Sequence, residues 1–455
     1  MRAKGVVGWM VGGVLALLSG SAGADNAQLL QLLEILHKKG TLSTEEYQML
    51  RGAADAPAPN NAAPPPQTAA APPPPAKQAA TASPVEVTTK GGLKAKSRDG
   101  SFEVNLGGRI QVDAGFHQDD KTDHANGTEL RRARLDVGGR IDKDWRFKLA
   151  YDFADNGVED KAAYLAYEGW PQATVKAGLY TPPFTLSEAT SSLHTIFMEE
   201  PMLVNAFKPD DRIGIGLESG GEQWSAQMAL FGEGPGKSTV ADDEARGASA
   251  RVTWAPPVGK DALLHLGGAV AYQAPNSSNP IRFRARPEAH VGSQRMVDTK
   301  AIDKVSDWTQ YDLELAAGLG PLSFEGEYLL ANVNRETGQP DLNFSGYYGS
   351  LGWFLTGESR HYEAKTGSFG RIAPKENFSL DKGGKGAWEV AARYSVLDLT
   401  DANVIGGEEK NVTLGINWYL NPQLRLMANY VLADAEKSGV HDEPKLFQTR
   451  MQVDF

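Results

Sequence analysis

A chain of 455 residues has room for a large domain, and its lack of cysteine excludes a disulfide framework, a thiol nucleophile and a thiolate metal site. The formal net charge of −11 argues against a protein that coats nucleic acid. Beyond the first twenty residues no apolar run approaches the ~20 residues of a spanning helix, which leaves a membrane β-barrel open, because half of each barrel strand is polar.

Arg2 and Lys4 precede an apolar run from Val6 to Leu18, and Ala22-Gly23-Ala24 supplies small residues at a cleavage position. This predicts a signal peptide over residues 1–24, cut after Ala24. Over residues 25–52, Leu29, Leu30, Leu32, Leu33, Ile35 and Leu36 form a helical stripe that Gly40 ends, and Ser43 with Glu46 reads as a capping box for a second helix. The stripe is too short to stand alone, so a short coiled coil and a helical hairpin packed on itself both remain open. Residues 53–85 are rich in Ala and Pro, including Pro64-Pro65-Pro66 and Pro72-Pro73-Pro74-Pro75, and predict an extended spacer.

Residues 86–455 predict an all-β domain, a 16-stranded antiparallel transmembrane β-barrel. Period-2 alternation is regular from Phe102 to Phe116 and recurs at Ala133–Ile141, Trp145–Phe153, Ala162–Tyr167, Thr174–Leu179, Ile213–Leu217, Trp224–Leu230 and Ala248–Trp254. It returns at Leu264–Tyr272, Tyr311–Ala317, Leu322–Leu330, Tyr347–Leu355, Trp388–Tyr394, Val412–Leu420, Leu424–Tyr430 and Phe447–Phe455. Connections should be long after odd strands and short after even ones. Thr181–Arg212 and Gln273–Trp308 are long and Asn421-Pro422 is a turn dipeptide, but Thr356–Ala387 is long where a short turn belongs.

Opposite the apolar face, Arg109, Arg132, Arg134, Arg251, Arg393 and Arg425 should point into the lumen, with acids such as Asp312, Glu314 and Glu327 on the tenth and eleventh strands. Arg131 is out of phase with this lumen face. In the fifth outer connection Arg282, Arg284 and Arg286 alternate with Ile281, Phe283 and Ala285, so three guanidiniums point one way. Guanidiniums bind oxyanions through forked hydrogen bonds, and a row of them inside a pore makes a relay for phosphate-like solutes. The rival role for this row is contact with lipopolysaccharide phosphates. The last strand ends on Phe455, expected to act as the assembly signal read by the outer-membrane barrel assembly machinery.

Gly107-Gly108-Arg109, Leu130-Arg131-Arg132-Ala133, Tyr151-Asp152-Phe153, Ala189-Thr190-Ser191-Ser192, the Arg282/Arg284/Arg286 alternation, Leu355-Thr356-Gly357-Glu358 and Gly415-Ile416-Asn417-Trp418-Tyr419 resemble the phosphate-selective porin O and P family. The resemblance implies a trimeric sixteen-stranded porin in which Arg109, Arg131, Arg132, Arg282, Arg284 and Arg286 form ladders leading to a constriction. Two departures stand out. Glu188 occupies the constriction-loop position where the family has a phosphate-site lysine, and Arg134 replaces an aromatic residue. The expectation is a passive outer-membrane channel of a Gram-negative cell for small anions such as phosphate or polyphosphate, with the N-terminal segment in the periplasm. A general diffusion porin and an envelope anchor are the alternatives. Lipid and lipopolysaccharide are the expected surroundings, and no cofactor or metal is expected. An enzyme is not, since His194 near Ser191 and Ser192 makes no triad and Gly214-x-Gly216 lacks the rest of a nucleotide fingerprint.

Overall fold

The computed structural model describes residues 85–89, 92–154, 157–235, 244–276 and 280–455, with isolated helical residues between Glu34 and Arg51. The predicted signal peptide and almost all of the Pro/Ala spacer lie outside the described residues. The chain divides into two units, residues 1–80 and 81–455. In the first, the described helical residues include an ion pair from Lys38 to Glu34 at 3.0 Å and a His37 ring stacked on Tyr47 at 4.7 Å.

In the second unit, alternation does what the sequence predicts. The barrel strands are β1 (Phe102–Gln118), β2 (Gly127–Ile141), β3 (Trp145–Asp152), β4 (Glu159–Trp170), β5 (Ala173–Tyr180), β6 (Arg212–Gly220), β7 (Trp224–Phe231) and β8 (Arg246–Trp254). They continue as β9 (Ala262–Ala274), β10 (Val305–Leu319), β11 (Leu322–Arg335), β12 (Leu342–Phe354), β13 (Ala387–Asp401), β14 (Val404–Asn421), β15 (Leu424–Lys437) and β16 (Lys445–Asp454). Each pairs antiparallel with its neighbours, and β16 closes the sheet on β1 from Lys445↔Gln118 to Asp454↔Arg109. Closure leaves no free edge, the condition for crossing lipid with strands. Ile110, Val112, Leu313, Leu315, Leu414 and Met451 are exposed outside, while Gln111, Asp113, Asp312, Glu314, Thr413 and Arg450 are buried inside. This inside-out polarity suits a barrel that meets hydrocarbon. Aromatic side chains such as Trp224, Trp254, Tyr328 and Tyr394 also face outward.

Beyond its pairing with β16, β1 would present an open edge at residues 103–106. A hairpin of Val85–Thr88 and Leu93–Ser97 covers it, with Leu93 opposite Leu106 and Lys96 opposite Glu103. Phe455 is buttoned alongside. Its N–H donates to the Gly108 carbonyl at 3.1 Å and its carbonyl accepts from the Gly108 N–H at 3.0 Å. A Cβ on Gly108 would sit 2.8 Å from the Phe455 ring, so the glycine makes room for the terminus.

Two features depart from the sequence reading. Alternation is lost after Tyr394, yet β13 runs on to Asp401 and turns at once into β14. Leu397 and Leu399 point inward and are fully buried, while Asp398 and Thr400 take the opposite face, so the polarity of the alternation is inverted there and the apolar-out pattern of a lipid-facing strand disappears. They belong to a core inside the barrel, with Leu329, Ala331, Val333, Leu342 and Phe344 of the wall packed on Phe207, Phe283 and Ile302 of infolded connections. The second feature is the connection 355–386, which has a physical cause in the inward polar groups of the wall. Arg251 donates to the carbonyls of Thr366 at 3.2 Å and Gly367 at 2.7 Å, and Arg360 pairs with Glu325 at 2.7 Å. The segment forms a small hairpin, Tyr362–Glu363 with Ser368–Phe369. Its Phe369 N–H donates to Thr190 Oγ1 of the long connection between β5 and β6 at 3.2 Å.

Candidate functional site

That connection, residues 181–211 and here called L3, carries two short helices, α1 (Leu186–Ala189) and α2 (Met202–Phe207). The Thr185 side chain caps α1 by accepting from Glu188 N–H, and the Glu327 carboxylate on β11 accepts from Leu186 N–H at 2.6 Å and Ser187 N–H at 3.2 Å. Further along, inward side chains of the wall hold the L3 backbone. Arg425 donates to the carbonyls of Thr195 at 2.7 Å and Ile196 at 3.0 Å, Gln452 to Leu193 at 3.2 Å, and Arg393 to Glu199 at 3.1 Å. Arg393 and Arg425 therefore do point inward as their phase indicates, but they are buried anchors of the loop.

The double arginine is settled by a bulge. Two consecutive strand residues face opposite ways unless the register slips. Here Gln111 pairs with Arg132 and Val112 with Leu130, which leaves Arg131 as the extra residue and turns both guanidiniums inward. Arg131 forms a forked pair with Glu199 of L3 at 3.0 and 3.1 Å. Glu199 also accepts from Arg450, which is itself forked on Asp113. Arg134 pairs with Asp152 at 3.3 Å. Arg132 donates to Gln111 Oε1 at 2.7 Å, and Arg109 to the hydroxyls of Ser192 at 2.9 Å and Ser191 at 3.4 Å. Among the described residues, neither Arg109 nor Arg132 has a carboxylate within ion-pair distance.

These groups surround a cavity of about 930 Å³ between L3 and the wall of β1 to β4 and β6. Arg109, Arg131, Arg132, Arg134 and Glu188 all line it, so the structure brings these five site residues together. The residues that sequence reasoning missed include Lys208, Arg212, Glu199 and Glu200. Lys208 lies in an irregular segment, where no periodicity could have assigned it a direction. Its ammonium is 2.9 Å from Glu188 and 2.8 Å from Glu200. Burial pushes the Glu188 carboxyl up to about 7, against the pull of Lys208. Burial would also raise Glu199, but Arg131, Arg450 and Arg132 hold it well below the usual carboxylate range. Burial, followed by the fields of Arg371 and Arg109, lowers His194 to about 4, so it carries no charge near neutrality.

Arg282, Arg284 and Arg286 sit elsewhere, on the connection 275–304 (L5), and none of them lines this cavity. The predicted alternation is present. Ile281, Phe283 and Ala285 are buried, while Arg282 and Arg284 are exposed and Arg286 half-buried. Arg282 is tied to Asp298, with Nε 2.7 Å from Oδ1. Arg295 completes a group of four, and burial together with the other three guanidiniums lowers its pKa. L5 is fixed inside the barrel by Glu288, which accepts from Arg393 Nε at 3.0 Å and from Thr413 at 2.5 Å. At Gly292 (φ 56°) an added Cβ would lie 1.8 Å from the Ala125 carbonyl, so L5 crosses the first outer connection at a point only glycine permits.

Comparison with known proteins gives a consistent picture. The family model described as phosphate-selective porin O and P matches residues 104–455. The chain is 28% identical to Porin O of Pseudomonas aeruginosa over 418 residues, covering 82% of this chain and 92% of that protein. It is 31% identical over 394 residues to an uncharacterised protein of Caulobacter vibrioides, covering 82% and 78%. Among solved structures, the anion-selective porin from Comamonas acidovorans superposes with a TM-score of 0.51 at 13% identity, covering 78% of this chain and all of that one.

Proposed function

The chain belongs to the phosphate-selective porin O and P family, and on that premise we propose that it passes small oxyanions, phosphate or polyphosphate among them, through the cavity between L3 and the basic wall. It is an outer-membrane channel and not an enzyme. The observation that carries the solute class is the pair Arg109 and Arg132, two guanidiniums that line the cavity and are held by neutral hydroxyl and amide oxygens instead of carboxylates. With no carboxylate in direct contact, such groups can take a passing oxyanion as their partner. In this reading Arg282, Arg284 and Arg286 collect anions ahead of the cavity, and Arg131 and Arg134, each already paired, shape it. The relatives named porin O and anion-selective porin fit this reading.

The native assembly is a homotrimer in this proposal, with residues 25–52 in the periplasm as a coiled coil or hairpin. Lipid and lipopolysaccharide surround the barrel, and the assembly machinery reads the strand ending in Phe455. Reversal potentials of the purified full-length protein in planar bilayers test the anion reading, together with block of the chloride current by phosphate. Cation preference without phosphate block would leave a general diffusion porin, the reading that Glu188 favours. Absence of conductance would leave an envelope anchor.

A further inference from the structure

Among the described residues, eight basic and eight acidic side chains line the cavity, with four of the basic groups gathered on β1 and β2 and five of the acids on L3. The wall of β1 and β2 contributes only basic groups, and two of these, Arg109 and Arg132, lack a carboxylate. The L3 side carries a surplus of acid. Lys208 is shared by Glu188 and Glu200, at 2.9 and 2.8 Å, which leaves that cluster one negative charge in excess when both carboxyls are ionised. Lys161 is shared in the same way by Glu159 at 2.5 Å and Asp211 at 3.7 Å. Lys208 cannot swing away cheaply, because its backbone N–H closes α2 on the Val204 carbonyl at 3.0 Å and its side chain is only 20% exposed. A bare phosphate in this cavity meets Arg109 and Arg132 on the wall and an L3 side with an excess of acid, where Arg212, held by Gln273 at 3.4 Å, is the one further guanidinium without an ion-pair partner among the described residues.

We propose, resting on the oxyanion reading above, that the preferred solutes are amphoteric: an oxyanion that binds Arg109 and Arg132, carried on the same small molecule as an ammonium group that faces the Glu188–Lys208–Glu200 cluster. The ammonium completes the charge balance that a simple anion leaves unmet. Hydroxyls of Ser191 and Ser192, already oriented on Arg109, sit beside the oxyanion end. The departure of Glu188 from the family lysine is then a change of substrate class within one architecture.

The test compares 2-aminoethylphosphonate with ethylphosphonate as blockers of chloride current through the full-length channel at pH 9, where both phosphonates are dianions and the first still carries its ammonium. The expected result is block by the amino compound at a ~3–10-fold lower concentration, the size of one screened charge contact in a wet pore. In Glu188→Lys the order should reverse, and in Glu200→Gln the preference should shrink. Equal block, or tighter block by ethylphosphonate, in the unaltered channel overturns the amphoteric proposal while leaving the oxyanion reading intact. Failure of both probes and of phosphate to block a cation-preferring channel overturns both readings. The comparison in the unaltered channel needs no variant to fold.

Discussion

Replacing Arg132 with Met isolates the contribution of a guanidinium that no carboxylate neutralises. Its side chain donates to Gln111 Oε1 at 2.7 Å and otherwise faces the cavity, so Met keeps the stem and removes only the charge and its donors. A unit charge ~4 Å from an anion is worth about 4 kcal/mol at an effective dielectric of ~20. Water in the cavity and salt at a Debye length of ~8 Å reduce this to about 1.4–2.8 kcal/mol, or roughly a 10- to 100-fold weaker phosphate block. The assay is phosphate titration of single-channel chloride current at two ionic strengths, with the loss shrinking at the higher one. Arg393→Met is the counterpart. That guanidinium also points inward but is bound to Glu288 and to the Glu199 carbonyl, so its loss should lower the temperature of heat modification and leave phosphate block within about threefold. Unchanged block in Arg132→Met, or an equal loss in Arg393→Met, would refute the assignment of the free guanidiniums to the anion path.

Glu188, pushed up to about 7 by burial, sheds its charge as pH falls from 8 to 6, so anion selectivity by reversal potential should rise over that range and the rise should vanish in Glu188→Gln. Because the folded carboxyl holds its proton more tightly than an unfolded one, its contribution to stability is fully present below the ordinary pKa of 4.5 and is lost as pH rises through about 7. Phe283→Ala empties a buried position in the lumenal core between Phe207 and Phe344, which should destabilise the infolded connections by about 3–5 kcal/mol, visible as noisier open-channel current and a lower heat-modification temperature. Deleting Phe455 removes the ring from Gly108 and should lower the yield of heat-modifiable barrel in outer-membrane fractions; an unchanged yield would count against its role in assembly.

The wall was legible in the sequence because lipid on one side and water on the other impose period 2, and all sixteen segments from Phe102 to Phe455 fall on strands. Legibility fails wherever a residue faces neither. Leu397 and Leu399 face inward onto protein, which inverts the polarity of the alternation at the end of β13, and the Gly406-Gly407-Glu408-Glu409 stretch of β14 has no apolar face to read. Arg393 and Arg425 carry the right phase for a pore lining, but phase gives direction and says nothing about what a loop brings against the side chain. Arg131 needed a bulge, which one strand's pattern cannot announce because it is a property of the pairing with β1. Lys208 and the cluster around it depend on how L3 folds, and that path is set by contacts with distant strands. The Arg282, Arg284 and Arg286 row was visible because an extended segment alternates even off the wall.

The packed core within the barrel divides the lumen by labour. Where L3 and L5 lie against β11, β12 and β13, interior positions answer to jigsaw complementarity, and a change of one methylene is felt. Between β1 to β4 and L3 the interior is a polar cavity, and a side chain lining it answers mainly to charge and hydrogen bonding. Exchanges such as Glu188 for a lysine, or Arg134 for an aromatic ring, fall on the cavity lining, apart from the packed core that holds the loops in place. A lineage of such channels can change its diet by surface chemistry while its scaffold stands still.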